Sequence, residues 1–317
     1  MDNKNELAVF HARSTQGVIS AGYKLYMANF RKLLRSSWVV AIIYALCMGV
    51  LGSYYIAEMP QLTVLVMSGM TATDPTIIGQ IASSGLILTL LTVAFIGMAT
   101  VLASCGFTAC KEHLNGDSVN APTKWYGHID RPMLWRTGKS VLWLLLIGIL
   151  ANVIMSGIAI LAFKVLGKIT ATIAITTFLL IIILALLPLN FIMMKYVLTP
   201  KSSFLKLIGT AYVIGIRHLS SIFIVTLIVT IITTLLTLVV QLPANILYIA
   251  NLQSQLGALQ GDPFGMPEYM GKMNYVVFAL MGFLQGYIHL STLFPYYFLY
   301  GSIEKQEEER KQLRIKH

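Results

Sequence analysis

The residues of this chain that could do chemistry are a few polar side chains inside long apolar stretches. Gln285 and His289 lie one helical turn apart in such a stretch, beside Gly282 and Gly286. Histidine is the side chain that changes charge near neutral pH, and an ionisable group inside a membrane span is a functional hypothesis by default. The intramembrane polar residues that we predict to matter are Asn152, Asn190, Thr230, Thr234, Gln285 and His289.

Two interpretations of this polar set are open. Ser, Thr, Asn and Gln side chains ordinarily join transmembrane helices by hydrogen bonds, and threonine hydroxyls also bond back to their own helix. The same residues could instead line a path for a solute. We favour helix packing for most of the set. We predict that His289 faces the bundle interior, near Asn190 or the threonines of the fifth span, rather than lipid.

Several classes of membrane enzyme and transporter require groups that this sequence lacks. Its Asp and Glu residues are all expected in loops, in the tail or at helix ends, so no carboxylate pair is predicted inside the membrane. The motifs GxxxxGKS/T, HExxH and GxSxG do not occur. Cys47, Cys105 and Cys110 lie in or beside apolar stretches and are predicted to be small core residues. We therefore predict that the protein is not an enzyme and holds no metal or cofactor.

A second candidate set is basic and aromatic, and it lies directly before three apolar stretches. At each junction a cation is followed four positions later by a serine, as in Arg136 and Ser140. Segments that mix cations with Trp, Tyr and Leu lie along membrane surfaces, with their cations near lipid phosphate. An equally weighted alternative is that these cations only fix the membrane topology. The predicted lipid-binding residues are Lys32, Arg35, Trp38, Trp135, Arg136, Lys139 and Arg217.

The composition places the chain among integral membrane proteins. It is 56% hydrophobic and 11% charged, with a mean hydropathy of +0.74, whereas roughly a quarter of the residues of a soluble domain are charged. An apolar helix of about 20 residues crosses the hydrocarbon core of a bilayer. Six stretches are long enough, at about residues 38–57, 75–106, 140–163, 169–194, 222–242 and 275–300.

The distribution of Lys and Arg predicts the orientation. Twenty of the 23 lie before the first span, between the second and third, between the fourth and fifth, or after the sixth, and three lie in the remaining connections. Because Lys and Arg are enriched in cytoplasmic loops, we predict a multi-pass protein of the bacterial cytoplasmic membrane with both termini in the cytoplasm. The net charge of +10 therefore reflects topology and does not predict a nucleic-acid partner.

These elements predict an all-α polytopic membrane protein in one domain. Its six transmembrane helices are expected to form three helical hairpins, each preceded by a cytoplasmic amphipathic elbow helix. The hairpins and elbows would make repeat units at about residues 18–110, 121–195 and 199–300. Residues 301–317 are predicted to be a charged cytoplasmic tail in water.

Three local features refine this plan. The stripe of small residues from Ala41 to Ser53, at every fourth position, lets another helix approach the first span closely. Pro188 is expected to kink the fourth span. The fifth span is expected to end at Pro243, because proline removes a hydrogen bond of the helix and clashes with the preceding turn.

A resemblance to known proteins is carried by three segments: YKLYMANFRKLLRSSW, EHLNGDSVNAPTKWYGHIDRPMLWR and TPKSSFLKLIGTAYVIGIRHLSS. In this pattern the chain resembles the six-helix bacterial membrane domains that include the YciC-like proteins and the membrane domain preceding some glycerophosphodiester phosphodiesterases. The resemblance implies three hairpins with an elbow before each. It implies no catalytic role here, because this sequence contains no phosphodiesterase domain.

Two functions from different classes fit these patterns. The first is a non-catalytic membrane module that organises lipid, anionic lipid in particular, or a protein partner at the cytoplasmic face. The alternative is a passive transporter or channel for a small or amphipathic solute. The predicted repeats share one orientation, whereas many secondary transporters have inverted repeats, and this difference favours the first function.

Overall fold

The structure, a computed structural model, describes residues 8–67, 75–115, 130–200, 202–261, 267 and 269–316. Within these ranges the chain is all-helical, as predicted, and contains no strand. Eight helices follow one another: α1 Thr15–Met67, α2 Pro75–Leu114, α3 Arg131–Val165, α4 Lys168–Leu186, α5 Pro188–Leu198, α6 Phe204–Arg217, α7 Leu219–Leu259 and α8 Tyr269–Lys316.

Six helical segments of the described chain are long and apolar enough to cross a membrane. This number confirms the prediction of six spans. The fourth combines α4 and α5, which are interrupted at Leu187, next to the proline that was expected to kink this span. The six segments are Thr15–Pro60, Ile81–Leu114, Arg131–Val165, Lys168–Leu198, Leu219–Gly257 and Tyr269–Ile315.

The most extensive packing in the molecule joins the first helix to the last. α1 and α8 run antiparallel along their lengths, from Arg13 beside Ser302 to Gly52 beside Phe278. The predicted stripe of small residues lies at this contact, since Ala41 and Ala45 are buried. Small side chains let two helix backbones approach closely, which stabilises helix pairs inside membranes. The partner of the stripe is therefore the sixth span, which is far away in sequence.

The main core lies where the helices meet near their predicted cytoplasmic ends. It includes side chains from α1, α2, α3, α5, α6, α7 and α8, with Phe107, Phe191 and Tyr297 among the largest fully buried ones. A smaller cluster joins α1, α7 and α8 toward their other ends. In contrast, none of the most apolar window of α3 is buried, so this helix lies at the periphery of the bundle.

The three predicted elbow helices are not confirmed as a repeated element. The first elbow is continuous with the first span in α1, because no glycine or proline interrupts residues 23–48. Residues 121–129 of the second elbow lie outside the described ranges, and from Arg131 onward it is likewise continuous with its span in α3. The third lies in a helix of its own, α6, which ends at Arg217 and is separated from α7 by His218 alone.

Pro243 does not end the fifth span, which corrects the prediction. α7 continues unbroken through it to Leu259, and α1 and α8 likewise contain Pro60 and Pro295. A proline removes only one backbone hydrogen bond of its helix, and transmembrane helices tolerate it where neighbouring groups satisfy the carbonyl that is freed.

Glu58 also lies in a helix rather than in the predicted loop. It is part of α1, where its Oε2 accepts a hydrogen bond of 2.7 Å from the hydroxyl of Ser84 in α2. A carboxylate inside a membrane helix requires such a partner, because burying an unpaired charge is costly.

Candidate functional site

Three basic side chains and one tryptophan form an exposed surface on α1, which we call the basic face: Arg31, Lys32, Arg35 and Trp38. Together with Leu34 they border an open surface depression of about 730 Å³. Within the described ranges, the three cations have no ion pair or hydrogen bond to protein. Because an unpaired cation beside an exposed aromatic ring can bind a lipid phosphate at the membrane surface, this face is a candidate lipid site.

The opposite side of α1 explains why the basic face is held in one orientation. Leu33 and Ser37 are buried, and the hydroxyl of Ser37 lies 3.2 Å from that of Tyr287 in α8. About two helical turns before Leu33, Tyr26 donates a hydrogen bond of 3.0 Å to the carbonyl of Tyr287. Residues three and four apart share a face of a helix, so burying this side turns the cations outward.

Arg136 is bound by groups of the protein itself. Its guanidinium donates to the carbonyls of Tyr196 and Thr199 and to the hydroxyl of Ser202, and it lies 4.5 Å over the ring of Tyr196. These acceptors lie around the end of α5 at Leu198. The last carbonyls of a helix lack partners within the helix, and a cation there satisfies them and balances the helix dipole. Arg136 therefore joins α3 to the end of α5.

Arg217 also pairs within the protein. Its Nη1 lies 2.9 Å from Oε2 and 3.1 Å from Oε1 of Glu307 in α8. By contrast, Trp135 and Lys139 remain exposed on α3, where the Lys139 ammonium lies 5.1 Å from the ring centre of Trp135. Of the seven predicted lipid-binding residues, two are therefore held by protein groups, and three lie on the basic face.

Glu307 is a buried carboxylate that the sequence did not reveal. It is 6% exposed, and besides Arg217 it binds His218 Nε2 at 3.0 Å and Arg310 Nη1 at 3.2 Å. A second tail carboxylate, Glu304, pairs with Lys195 of α5 at 2.6 Å. The predicted tail is helical and charged, but its first two turns dock on the bundle instead of standing free in water, because their carboxylates meet these cations.

The intramembrane polar residues separate into two groups. Asn152, Thr230 and Thr234 are exposed, and the amide of Asn152 donates only to the carbonyl of Gly148 in its own helix, among the contacts described. Asn190 lies 3.5 Å from the hydroxyl of Thr226 and joins α5 to α7. These four therefore contribute to helix packing or face outward.

Gln285 and His289 lie together on a cavity of about 560 Å³. Helices α1, α2, α3, α7 and α8 all contribute to its walls, and the walls include Thr237 and Gln241 of α7. His289 lines this cavity together with Thr237 of the fifth span, but its side chain is exposed, so it is not enclosed in the bundle interior as predicted. Asn190 does not line this cavity. Thr237 and Gln241 lie one helical turn apart on α7, as Gln285 and His289 do on α8. This spacing is the sequence signal by which Thr237 and Gln241 can be identified.

The cysteines and the histidine of α2 lie apart from these two sites. Cys105 and Cys110 are buried free thiols, and the ring of His113 lies 3.1 Å from the hydroxyl of Tyr297. Within the described ranges, no three His, Cys, Asp or Glu side chains are grouped so that they could hold a metal ion.

No family model, no curated protein and no solved structure matches this chain. The basic face and the cavity are therefore the two features of the molecule that indicate a function.

Proposed function

We propose that this protein is a non-catalytic membrane module that binds anionic lipid at the cytoplasmic surface through the basic face. The observation that carries this proposal is that Arg31, Lys32 and Arg35 are exposed without a protein partner, next to Trp38. In the same region, Arg136 and Arg217 are occupied by protein acceptors. Cations that stabilised only the fold would be paired in the same manner, so the unpaired ones are available to a ligand.

Phosphate is the ligand chemistry that fits the basic face. Each cation near an anionic membrane surface contributes about 1 kcal/mol of attraction, and a tryptophan ring positions itself at the level of the headgroups. The depression between these side chains is open, which suits a headgroup that arrives from the bilayer. A protein partner with an acidic surface would use the same cations, and the lipid experiment below separates it from lipid.

The proposal requires that the basic face lies on the cytoplasmic side of the bacterial cytoplasmic membrane. The contact of Arg13 with Ser302 supports placing the start and the end of the chain on one side. We predict that a reporter fused after Ser203 is cytoplasmic and that one fused after Gly167 is external, because Lys and Arg are concentrated on the first side. An external signal at Ser203 would contradict both the orientation and the lipid proposal.

The lipid experiment compares two triple variants. We predict that Arg31→Gln, Lys32→Gln and Arg35→Gln together abolish the enrichment of phosphatidylglycerol around purified protein, measured by mass spectrometry of lipids retained in mixed nanodiscs. The three cations contribute roughly 3 kcal/mol at most, and salt screens part of this attraction. The enrichment seen with the unchanged protein should therefore also fall as salt is raised.

A matched control removes the same charge elsewhere. Lys206, Lys311 and Arg314 are exposed cations outside the basic face, and replacing all three by glutamine should leave the phosphatidylglycerol enrichment intact. If the two triple variants lose anionic lipid equally, net charge and not the basic face attracts the lipid. If neither loses it, the cations of α1 act on topology or on a protein partner.

The alternative function, passive transport of a small or amphipathic solute, is favoured by one observation. The cavity beside Gln285 and His289 is open and reaches the middle of the candidate spans. Flux of solutes into liposomes that contain the purified protein would support this alternative, and unchanged flux relative to empty liposomes would argue against it. The resemblance to the YciC-like membrane domains is compatible with either function.

A further inference from the structure

The cavity beside Gln285 and His289 has the size and composition of a binding site. Its volume of about 560 Å³ lies within the range of roughly 300–1,000 Å³ that small-molecule sites occupy. Most of its wall is hydrocarbon, from residues such as Phe95, Ile96 and Leu293. The cavity is open and not sealed, so a molecule dissolved in the surrounding bilayer can reach it.

Two polar atoms in the wall lack partners within the described part of the chain. Gln285 is 4% exposed, and its Nε2 has no hydrogen-bond acceptor. The hydroxyl of Thr237, on the facing helix α7, is also buried without a partner. Leaving a buried donor unsatisfied is costly, and native structures satisfy nearly all such groups with protein, water or a ligand. Because Gln285 lines the open cavity, a ligand there is the candidate for the missing acceptor.

His289 is the second polar group of the cavity, and its hydrogen bond determines which of its ring nitrogens can accept a hydrogen bond from a ligand. Its Nδ1 lies 2.7 Å from the carbonyl oxygen of Gln285. Because a carbonyl oxygen only accepts, Nδ1 carries the hydrogen of this bond, and Nε2 of the neutral ring is left as an acceptor. The same helix thus offers one donor, from Gln285, and one acceptor, from His289. A hydroxyl group, which both donates and accepts, complements this pair.

Charge narrows the choice of ligand further. Among the described residues that line the cavity there is no Lys, Arg, Asp or Glu. A charged headgroup would be buried there without a counter-charge, which is strongly unfavourable in an apolar environment. We propose that this cavity binds an uncharged amphiphile from the bilayer, an alkyl chain with a hydroxyl headgroup, whose hydroxyl accepts from Gln285 Nε2 and donates to His289 Nε2.

This site is separate from the basic face in both place and chemistry. The basic face, on α1 between Arg31 and Trp38, attracts phosphate, whereas the cavity offers no charge. A failure to bind anionic lipid at the basic face would therefore not contradict binding in the cavity, and a failure to bind in the cavity would not contradict binding of anionic lipid. It also differs from passive transport, because it requires binding alone and no passage of the ligand across the membrane.

Three probes of equal chain length test the proposal: octadecanol, octadecane and octadecyl sulfate, each with a diazirine at the same chain carbon. The full chain is purified into nanodiscs, photolabelled over a range of probe concentrations and mapped by peptide mass spectrometry. We expect saturable labelling of the cavity residues by octadecanol. Octadecane, which cannot hydrogen-bond, and octadecyl sulfate, which is charged, should label the same residues without saturation.

The variant Gln285→Leu removes the donor and keeps the size of the side chain. Because Gln285 Nε2 has no partner in the described protein, the thermal stability of this variant should stay the same or rise. Its octadecanol binding should weaken roughly threefold to tenfold, the effect of one hydrogen bond. Thr234→Val, one turn from Thr237 on α7 and exposed, should leave binding unchanged.

Three results would overturn the proposal. Equal labelling by octadecane and octadecanol would mean that the cavity is an apolar gap filled by lipid chains. Unchanged octadecanol binding by Gln285→Leu would mean that the amide does not contact the headgroup. A loss of thermal stability in Gln285→Leu would show that the amide makes a structural bond, and the argument from an unpaired donor would then fail.

Discussion

Replacing Glu307 by Gln is expected to lower the free energy of unfolding by about 3 kcal/mol, at the low end of the range for breaking a buried ion pair. The carboxylate is 6% exposed and receives contacts from Arg217, His218 and Arg310. Glutamine keeps the volume of the side chain but leaves these groups without a counter-charge. The low end applies because Arg217 and Arg310 are themselves 39% and 45% exposed, so water compensates part of the loss.

Thermal denaturation of the purified variant in detergent, followed by loss of monodisperse protein, measures this effect. Glu308→Gln is the matched control, since Glu308 is the next residue of α8 but is exposed and pairs only with Lys305 in the same helix, among the contacts described. Exposed pairs of this kind contribute about 0–1 kcal/mol. If Glu307→Gln and Glu308→Gln have the same melting temperature, the docking of the tail does not stabilise the bundle.

The contacts of the tail with other helices were not predicted from the sequence. The run of Glu, Lys and Arg after Tyr300 is typical of a solvated helix end, and this interpretation is correct for Glu308 and Glu309, which are exposed. Apart from Arg310 in the same helix, the partners of Glu307 are Arg217 and His218, about 90 positions earlier in the chain. Local charge patterns carry no information about such distant contacts, so the pairs that join the tail to the rest of the bundle could not be predicted.

The spans were predictable for the opposite reason. Length and hydropathy are local properties, and six apolar stretches gave six candidate membrane spans. Which helices pair is not local. The stripe from Ala41 to Ser53 predicted a close neighbour for the first span, but only the structure assigns that neighbour to α8. The continuation of α7 through Pro243 was missed because rules for helix ends in water overstate the effect of proline in an apolar helix.

Some of the residues that line the candidate cavity could be predicted from the sequence, and others could not. The one-turn spacing of Gln285 and His289 placed them on one face of a helix, and both line the cavity. The threonine stripe of α7 is periodic along its whole length, yet only Thr237 and Gln241 lie level with the cavity, whereas Thr230 and Thr234 are exposed. Periodicity identifies the face of a helix on which polar residues lie. It does not identify the position along the helix at which neighbouring helices separate and form a cavity.

The second large effect is expected at Gly22 of α1, which lies close to the backbone of α8. A Cβ atom added at Gly22 would lie 2.6 Å from Cα of Pro295 and 2.9 Å from the carbonyl carbon of Phe294. Both are backbone atoms, so no side-chain rotation relieves the overlap, and the two helices must move apart. We expect Gly22→Ala to destabilise the protein by about 1–3 kcal/mol, the range for overpacking a tight core.

Gly97→Ala is the control for the same substitution in an open position. Nothing lies within 4 Å of a Cβ atom added there, in the middle of α2. Alanine favours a helix over glycine by up to about 1 kcal/mol, so this variant should melt at the same temperature as the unchanged protein or higher. Opposite shifts for the two variants would show that α1 and α8 are in close contact at Gly22. Equal melting temperatures would contradict the close approach at Gly22, because a methyl group cannot enter a backbone contact of that length without separating the helices.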